Sequence, residues 1–241
     1  MTELTPDNQP NIAFAGLTAA GKTTHAKILA EQLGYKYVSA TKMILDIIGI
    51  DHAPDRVWFT NYEEIEKARE GDMVDIELEA RMQDLARKQG RLVLDTWAMA
   101  WIYDGPRPMI RVWMESDATS RTKKCYVSQD GEKTLDLHEC NNLINKKDTE
   151  TRDKFLRRLD FDLFNDKQRY DAIIDNTRLI PEPTAGCSQR GIESFSPVVH
   201  DVVSYMIDRK INPNFDLDKS QALSLIQQHN GMIKKLGEVV I

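Results

Sequence analysis

Hydrophobic positions gather into five short runs set far apart along the chain: Ile12–Ala15, Lys36–Ser39, Arg91–Asp95, Ile110–Met114 and Ala172–Asp175. Each is too short for a helix and has few polar interruptions, as in a strand buried on both faces of a parallel sheet. Between them the pattern changes. Thr24–Leu33 is filled with helix formers and stops at Gly34, and Glu63–Arg69 and Asp75–Lys88 also read as helices. Strands alternating with helices predict an α/β fold, a doubly wound five-stranded parallel sheet. Residues 41–90 and 116–169 read as two long insertions, the second crowded with Lys and Arg. The tail divides into a Pro-, Gly- and Ser-bearing loop at 181–196, a helix at 197–210 and a last helical piece at 217–236. The expected organisation is a core over 11–179 and a C-terminal helical extension over 180–241. The extension would pack on the core or pair two copies of the chain as a homodimer. In sheets of this kind ligands sit beyond the carboxyl ends of the strands, which gathers Ser39, Asp95, Glu115 and Asn176 at one edge.

The first apolar run leads directly into Gly16-Leu17-Thr18-Ala19-Ala20-Gly21-Lys22-Thr23-Thr24, the phosphate-loop pattern G-x-x-x-x-G-K-[ST]. Each position has a physical task. Gly16 and Gly21 permit backbone turns that a Cβ would block, so the N–H groups of Leu17, Thr18, Ala19, Ala20, Gly21 and Thr24 can point at phosphate oxygens. Lys22 supplies a point charge to the β- and γ-phosphates, and the Thr23 hydroxyl is placed to ligate Mg²⁺. The helix that follows aims its positive end at the anion. Nucleotide binding, with ATP and Mg²⁺ as cofactors, is the expectation.

Composition narrows the rest. The chain has 241 residues, 41% of them hydrophobic, enough for one sizeable α/β domain with an appendage. Its net charge of -6 speaks against a nucleic-acid partner, which would want a basic face. Three widely spaced cysteines form neither a metal quartet nor a disulfide framework. No apolar run reaches the length of a membrane span, and Met1–Pro10 lacks the pattern of a signal peptide. A cytoplasmic protein without membrane partners is expected.

A Mg²⁺–nucleotide site needs a carboxylate beside the loop, and Asp95, which closes an apolar strand, is the candidate. It would hold the metal through water or take a proton from a substrate hydroxyl; the plainer alternative is a helix-capping aspartate. In the charged insertion Arg152, Arg157 and Arg158 are candidate lid arginines that close over the transferred phosphoryl, against the alternative of a solvated charged helix. Arg121 is placed to touch the donor nucleotide. An acceptor would be held by the first insertion and its flanks, where Ser39, Lys42, Arg56, Asp75, Arg81 and the aromatic residues Trp58, Phe59, Tyr62, Trp97 and Trp101 are the candidates.

The phosphate loop, the phrase Leu33-Gly34-Tyr35-Lys36-Tyr37-Val38-Ser39-Ala40, the strand Leu92–Asp95, the piece Arg111–Met114 and Tyr170–Thr177 together resemble the cytidylate kinases, most closely their short archaeal-type members. The resemblance covers roughly residues 11–179. It implies the nucleoside monophosphate kinase fold, with Lys22 and Thr23 as the phosphate-loop lysine and magnesium hydroxyl, and Arg152 with Arg157 or Arg158 as the lid arginines. The chain departs from the family at two places. The family carries an arginine shortly after its acceptor-side serine and another in an acid-Gly-Arg step after the third strand; here Ser39 is followed by Ala40-Thr41-Lys42, and Asp95 by Thr96-Trp97. A dianionic acceptor wants bidentate guanidinium clamps. An ATP-dependent transfer to a cytidylate-like monophosphate is therefore the first reading. Transfer to a hydroxyl of a nucleoside or other small alcohol, with Asp95 as base, is the second. An ATPase switch without an acceptor is the third.

Overall fold

The computed structural model describes residues 9–50, 62–129, 135–211 and 219–241. Five parallel strands, β1 (Asn11–Ala15), β2 (Lys36–Ser39), β3 (Leu92–Asp95), β4 (Met109–Glu115) and β5 (Ala172–Asp175), lie in the order β2-β3-β1-β4-β5. The expected parallel sheet is thus present. β1 and β3 are buried at every position, as their uninterrupted apolar sequences require of strands covered on both faces.

Helices cover both faces. On one side, α2 (Ala40–Ile48), α3 (Tyr62–Ala68) and α4 (Met73–Lys88) close a core that contains Ile65, Met82, Trp101 and Phe161. The short α5 (Met99–Ile102) joins the same layer, where Trp101 stacks on Phe161 with ring centroids 4.3 Å apart. On the other side, α1 (Lys22–Leu33) packs with α8 (Ala185–Ile211) and α9 (Lys219–Gln228) around Phe14, Leu29 and Val202. Between β4 and β5 run α6 (Ala118–Val127) and the 23-residue α7 (Leu137–Leu159). Each starts at an aspartate: Asp117 accepts from the Ser120 N–H, and Asp136 forms a reciprocal capping box with Glu139.

The tail corrects the expected helical extension. It contributes two strands, β6 (Ile233–Leu236), antiparallel to β5, and β7 (Val239–Val240), antiparallel to β6, which widen the sheet to seven strands. Ile233 and Leu236 are fully buried in the core, so a four-residue segment bounded by glycines at 231 and 237 is drawn into the sheet by burial rather than by helical propensity. The stretch 181–196 is not wholly a loop either. α8 begins at Ala185 and runs straight through Pro197. Burial of Phe195, Val198 and Val199 on both sides of the proline offsets its missing N–H.

The register sets the site. Phe14 pairs with Asp95, and Ser39 pairs with Asp95 from the other side, so Asp95 emerges at the carboxyl edge next to the start of the phosphate loop.

Candidate active site

The loop is shaped by the glycine that opens it. Gly16 has φ 151°, and a Cβ there would lie 2.5 Å from the Met114 carbonyl oxygen, so no other residue can let the loop leave β1 this close to β4. Lys22, on the first turn of α1, folds back and donates to the carbonyls of Gly16 at 2.7 Å and Leu17 at 2.9 Å. Burial pushes its pKa down to about 8, against the opposing pull of Asp95 and Asp148. The neighbouring Thr23 hydroxyl donates to Asp95 Oδ2 at 2.5 Å, and Tyr37 donates to the same oxygen at 3.0 Å.

A hydroxyl and a carboxylate beside the loop make an all-oxygen donor set that suits Mg²⁺, which is usually held by one or two protein oxygens, phosphates and water. Of the loop N–H groups expected to face phosphate, those of Thr18 and Ala20 are instead taken by Asp148 and the Leu17 carbonyl. Among the described residues no cluster of three His, Cys, Asp or Glu could hold a metal unaided. The Thr18 hydroxyl, also on the loop, is buried without a hydrogen-bond partner. The residues present therefore fit a metal–nucleotide complex.

Asp148, on α7, ties the second insertion to the loop. Its carboxylate accepts from the Thr18 N–H at 2.8 Å and from Arg121 at 2.5 Å, and Arg121 also donates to the Thr18 carbonyl at 3.1 Å. On the other flank Asn176 donates to the Ala20 carbonyl at 2.8 Å and accepts from Lys124, whose pKa burial lowers to about 8.

A cavity of about 740 Å³ opens around these groups. Its lining residues fall into two sets, one on each side of Lys22. Towards β2 and β3 lie Thr41, Ile44, Leu78, Trp97, Thr151 and Phe155, with the charged groups Arg69, Asp75, Glu79 and Lys147. Towards β4 and β5 lie Val127, Ser128, Leu179, Ile180 and residues of α8.

Several expected residues take their places here: Lys22, Thr23, Asp95, Asp75 and Trp97 line the cavity, and Arg121 stands behind the loop. Others do not. Arg152 is bound to Asp162 through Nε at 2.8 Å and Nη2 at 2.7 Å, Arg157 to Asp72, and Arg158 to Glu79, so none of the three is among the lining residues. The helical period is the reason. Lys147, Thr151 and Phe155 recur at i, i+4 and i+8 on the α7 face that meets the cavity; Arg152 and Arg157 fall off that stripe, whereas Arg158, three residues past Phe155, shares the face but is taken up by the cavity-lining Glu79. Lys147 is the basic residue that composition alone hid. It lies over the Trp97 ring at 5.9 Å, as Lys22 does at 5.2 Å, and burial with the nearby charges of Lys22 and Arg69 lowers its pKa to about 7. Ser39 caps α2, accepting from the Lys42 N–H at 3.2 Å; the Lys42 side chain is exposed; Arg81 is exposed and pairs with Glu77. Tyr62 donates to Glu150. Arg56, Trp58 and Phe59 lie outside the described residues.

His25, on α1, packs edge-on against Phe195 at 5.1 Å and is 4% exposed. Burial first, and the charge of Lys124 second, push its pKa down to about 4. In the unfolded chain the value is near 6.5, so between pH 6.5 and 4 the unfolded state binds more protons and stability falls as pH falls. The ligand-free protein should lose about 3 kcal/mol from this group between pH 7 and 4. Urea unfolding of wild type and His25→Gln at both pH values checks it: the variant should show a smaller acid loss, and equal losses would remove His25 from the account.

A parallel sheet ordered β2-β3-β1-β4-β5, a phosphate loop between β1 and α1, and a carboxylate on β3 beside the loop threonine define a phosphate-loop kinase. The sequence pattern of the Cytidylate kinase-like family matches residues 11–178, and the chain belongs to that family. Two relatives bearing the name cytidylate kinase illustrate the distance. That of Natronomonas pharaonis is 25% identical over 186 residues, 77% of this chain and 91% of the relative. That of Methanocaldococcus jannaschii is 27% identical over 170 residues, 69% of this chain and 88% of the relative. Among solved structures, an uncharacterized protein from Eubacterium ventriosum superposes with a TM-score of 0.55 at 16% identity, covering 83% of this chain and 99% of that one, a likeness of fold alone. No helix among the described residues is long and apolar enough to cross a membrane.

Proposed function

We propose that this kinase moves the γ-phosphate of ATP to a nucleoside monophosphate, with a cytidylate-like acceptor first, in the cytoplasm, where its three free cysteines stay reduced. The observation that supports it is a cavity lined by the phosphate loop and Lys22 together with residues beyond β2 and β3 and residues that follow β5, room for a donor and an acceptor to meet at Lys22. Lys22 and the loop amides hold the donor phosphates. Thr23 and Asp95 would hold Mg²⁺, which when bound neutralises charge on the transferring group. Lys147, facing the transfer zone from α7, takes the place assigned above to the lid arginines. A monophosphate acceptor is already ionised, so Asp95 need not act as a base toward it.

One observation favours the hydroxyl-acceptor reading. Two basic groups near the acceptor side are met by a carboxylate: Arg69 donates to Asp75 at 2.7 Å, and Lys154 lies 3.0 Å from Asp75. Glu79, likewise, accepts two bonds from Arg158 at 2.9 Å. Thermal shifts with a non-hydrolysable ATP analogue plus cytidine monophosphate, nucleosides or small alcohols separate the readings. Cytidine monophosphate should give the largest added shift. A shift with a neutral alcohol and none with the monophosphate would move Asp95 to the role of base. ATP consumption that proceeds equally fast without any acceptor would leave an ATPase.

A further inference from the structure

We propose that Ser188, Gly191 and Ile192, on the first turns of α8, form a wall of the donor-base subsite, and that Ile192 and Ser188 make it a site for adenine over guanine. This rests on the kinase reading above. The family match ends at residue 178, yet Ser188, Gly191, Ile192 and Phe195 line the same cavity as Lys22. They do so beside Leu179 and Ile180, the residues that follow β5. A donor whose phosphates lie along the loop must place its base there.

The wall is held rigidly. A Cβ on Gly191 would come within 2.5 Å of the Leu179 carbonyl oxygen, so α8 packs backbone to backbone on the turn that follows β5. That turn is tied to α6: Lys123 donates to the Pro181 carbonyl at 2.7 Å, the Asp117 N–H donates to the Thr177 hydroxyl at 3.0 Å, and Ser120 donates to the Thr177 carbonyl. The subsite therefore has fixed walls from α6 and α8 and a floor from Leu179 and Ile180.

Its chemistry is apolar with two hydroxyls, and the paired Lys124 and Asn176 stand at its phosphate-loop edge. Val127 and Ile192, both half-buried, supply surface on which a flat heterocycle packs, with Ile180 and Phe195 buried behind them. Ser128 donates to the Cys125 carbonyl at 2.8 Å and keeps its acceptor lone pairs; Ser188 carries the second hydroxyl. Guanine presents two adjacent donors, the ring N–H and the 2-amino group, that match a carboxylate. No Asp or Glu is among the described residues lining this side. Adenine presents one amino donor flanked by ring acceptors, which hydroxyls can serve in both directions.

The test uses the full chain with Ile192→Trp, Ile192→Ala and Ser188→Ala, and with Gln189→Ala, an exposed residue on the same helix, as control. Calorimetric Kd values are measured for non-hydrolysable ATP and GTP analogues and for cytidine monophosphate. Ile192→Trp should raise the Kd of the ATP analogue about tenfold or more and leave that of cytidine monophosphate within about twofold. Ser188→Ala should shrink the adenine-to-guanine preference by about fivefold, the loss of one hydrogen bond. Gln189→Ala should change none of these. If Ile192→Trp fails to fold, the Ile192→Ala and Ser188→Ala values decide. Unchanged nucleotide affinity and unchanged base preference in the folded variants would overturn the proposal. Wild type that binds the ATP analogue but transfers nothing would sink the kinase reading and leave the wall standing; wild type that binds neither analogue would overturn both.

Discussion

Replacing Lys22 by alanine should cost at least about a hundredfold in kcat, the scale at which one preorganised charge aimed at developing anionic oxygens contributes. In the ligand-free protein Nζ is held at the loop by the carbonyls of Gly16 at 2.7 Å and Leu17 at 2.9 Å, bonds that a bound phosphate would replace. Burial explains why the effect belongs to chemistry rather than to folding. The ammonium is desolvated in the ligand-free protein, and its pKa of about 8 lies below the unfolded value of 10.5. Between those values the unfolded state binds more protons, so wild-type stability rises with pH across that window and the variant lacks this contribution. Single-turnover transfer with Lys22→Ala, beside urea unfolding at pH 7 and 9.5, measures both. Near-wild-type turnover would remove Lys22 from the transfer step.

Asp148→Ala should destabilise the ligand-free protein by about 3–5 kcal/mol. The Asp148–Arg121 pair is nearly inaccessible, with residue exposures of 2% and 5%, and no water can replace the lost carboxylate cheaply. Truncation leaves a buried guanidinium and the Thr18 N–H without their shared acceptor. The carboxylate also occupies the position of an anion: it is held by one loop amide and one arginine, the groups that nucleotide phosphates use. A non-hydrolysable ATP analogue should therefore stabilise Asp148→Ala more than it stabilises wild type. Denaturant titrations with and without the analogue give both numbers. A loss below about 1 kcal/mol without ligand would show that α7 does not need this pair to close on the loop.

Much of the donor half was legible in the chain because its determinants are local. Gly16 to Thr23 is one contiguous turn whose glycines answer to a backbone geometry, and the apolar runs on either side can only be buried strands. Asp95 was legible for a less local reason. A strand that ends in a carboxylate exposes it at the sheet edge where the loop also emerges, and the register Phe14 to Asp95 realises that. The acceptor half was not legible in the same way. Arg152, Arg157 and Arg158 and the hidden Lys147 share one helix and one kind of charge, and only the packing angle of α7 decides which of them meets the cavity and which meets Asp162, Asp72 or Glu79.

The same division runs through the tail. Pro197 and the glycines before it read as a break, but the apolar surface offered by α1 and the sheet holds the helix together through the proline. Ile233-Lys234-Lys235-Leu236 is too short to declare a strand, and it becomes one because β5 presents an open edge. By itself the sequence determined a parallel α/β core and a phosphate loop, since both follow from spacing and backbone geometry within a few residues. Only the tertiary contacts settle which charges face the cavity, what neutralises the others, and that the first turns of α8 line it, because each depends on segments tens of residues apart.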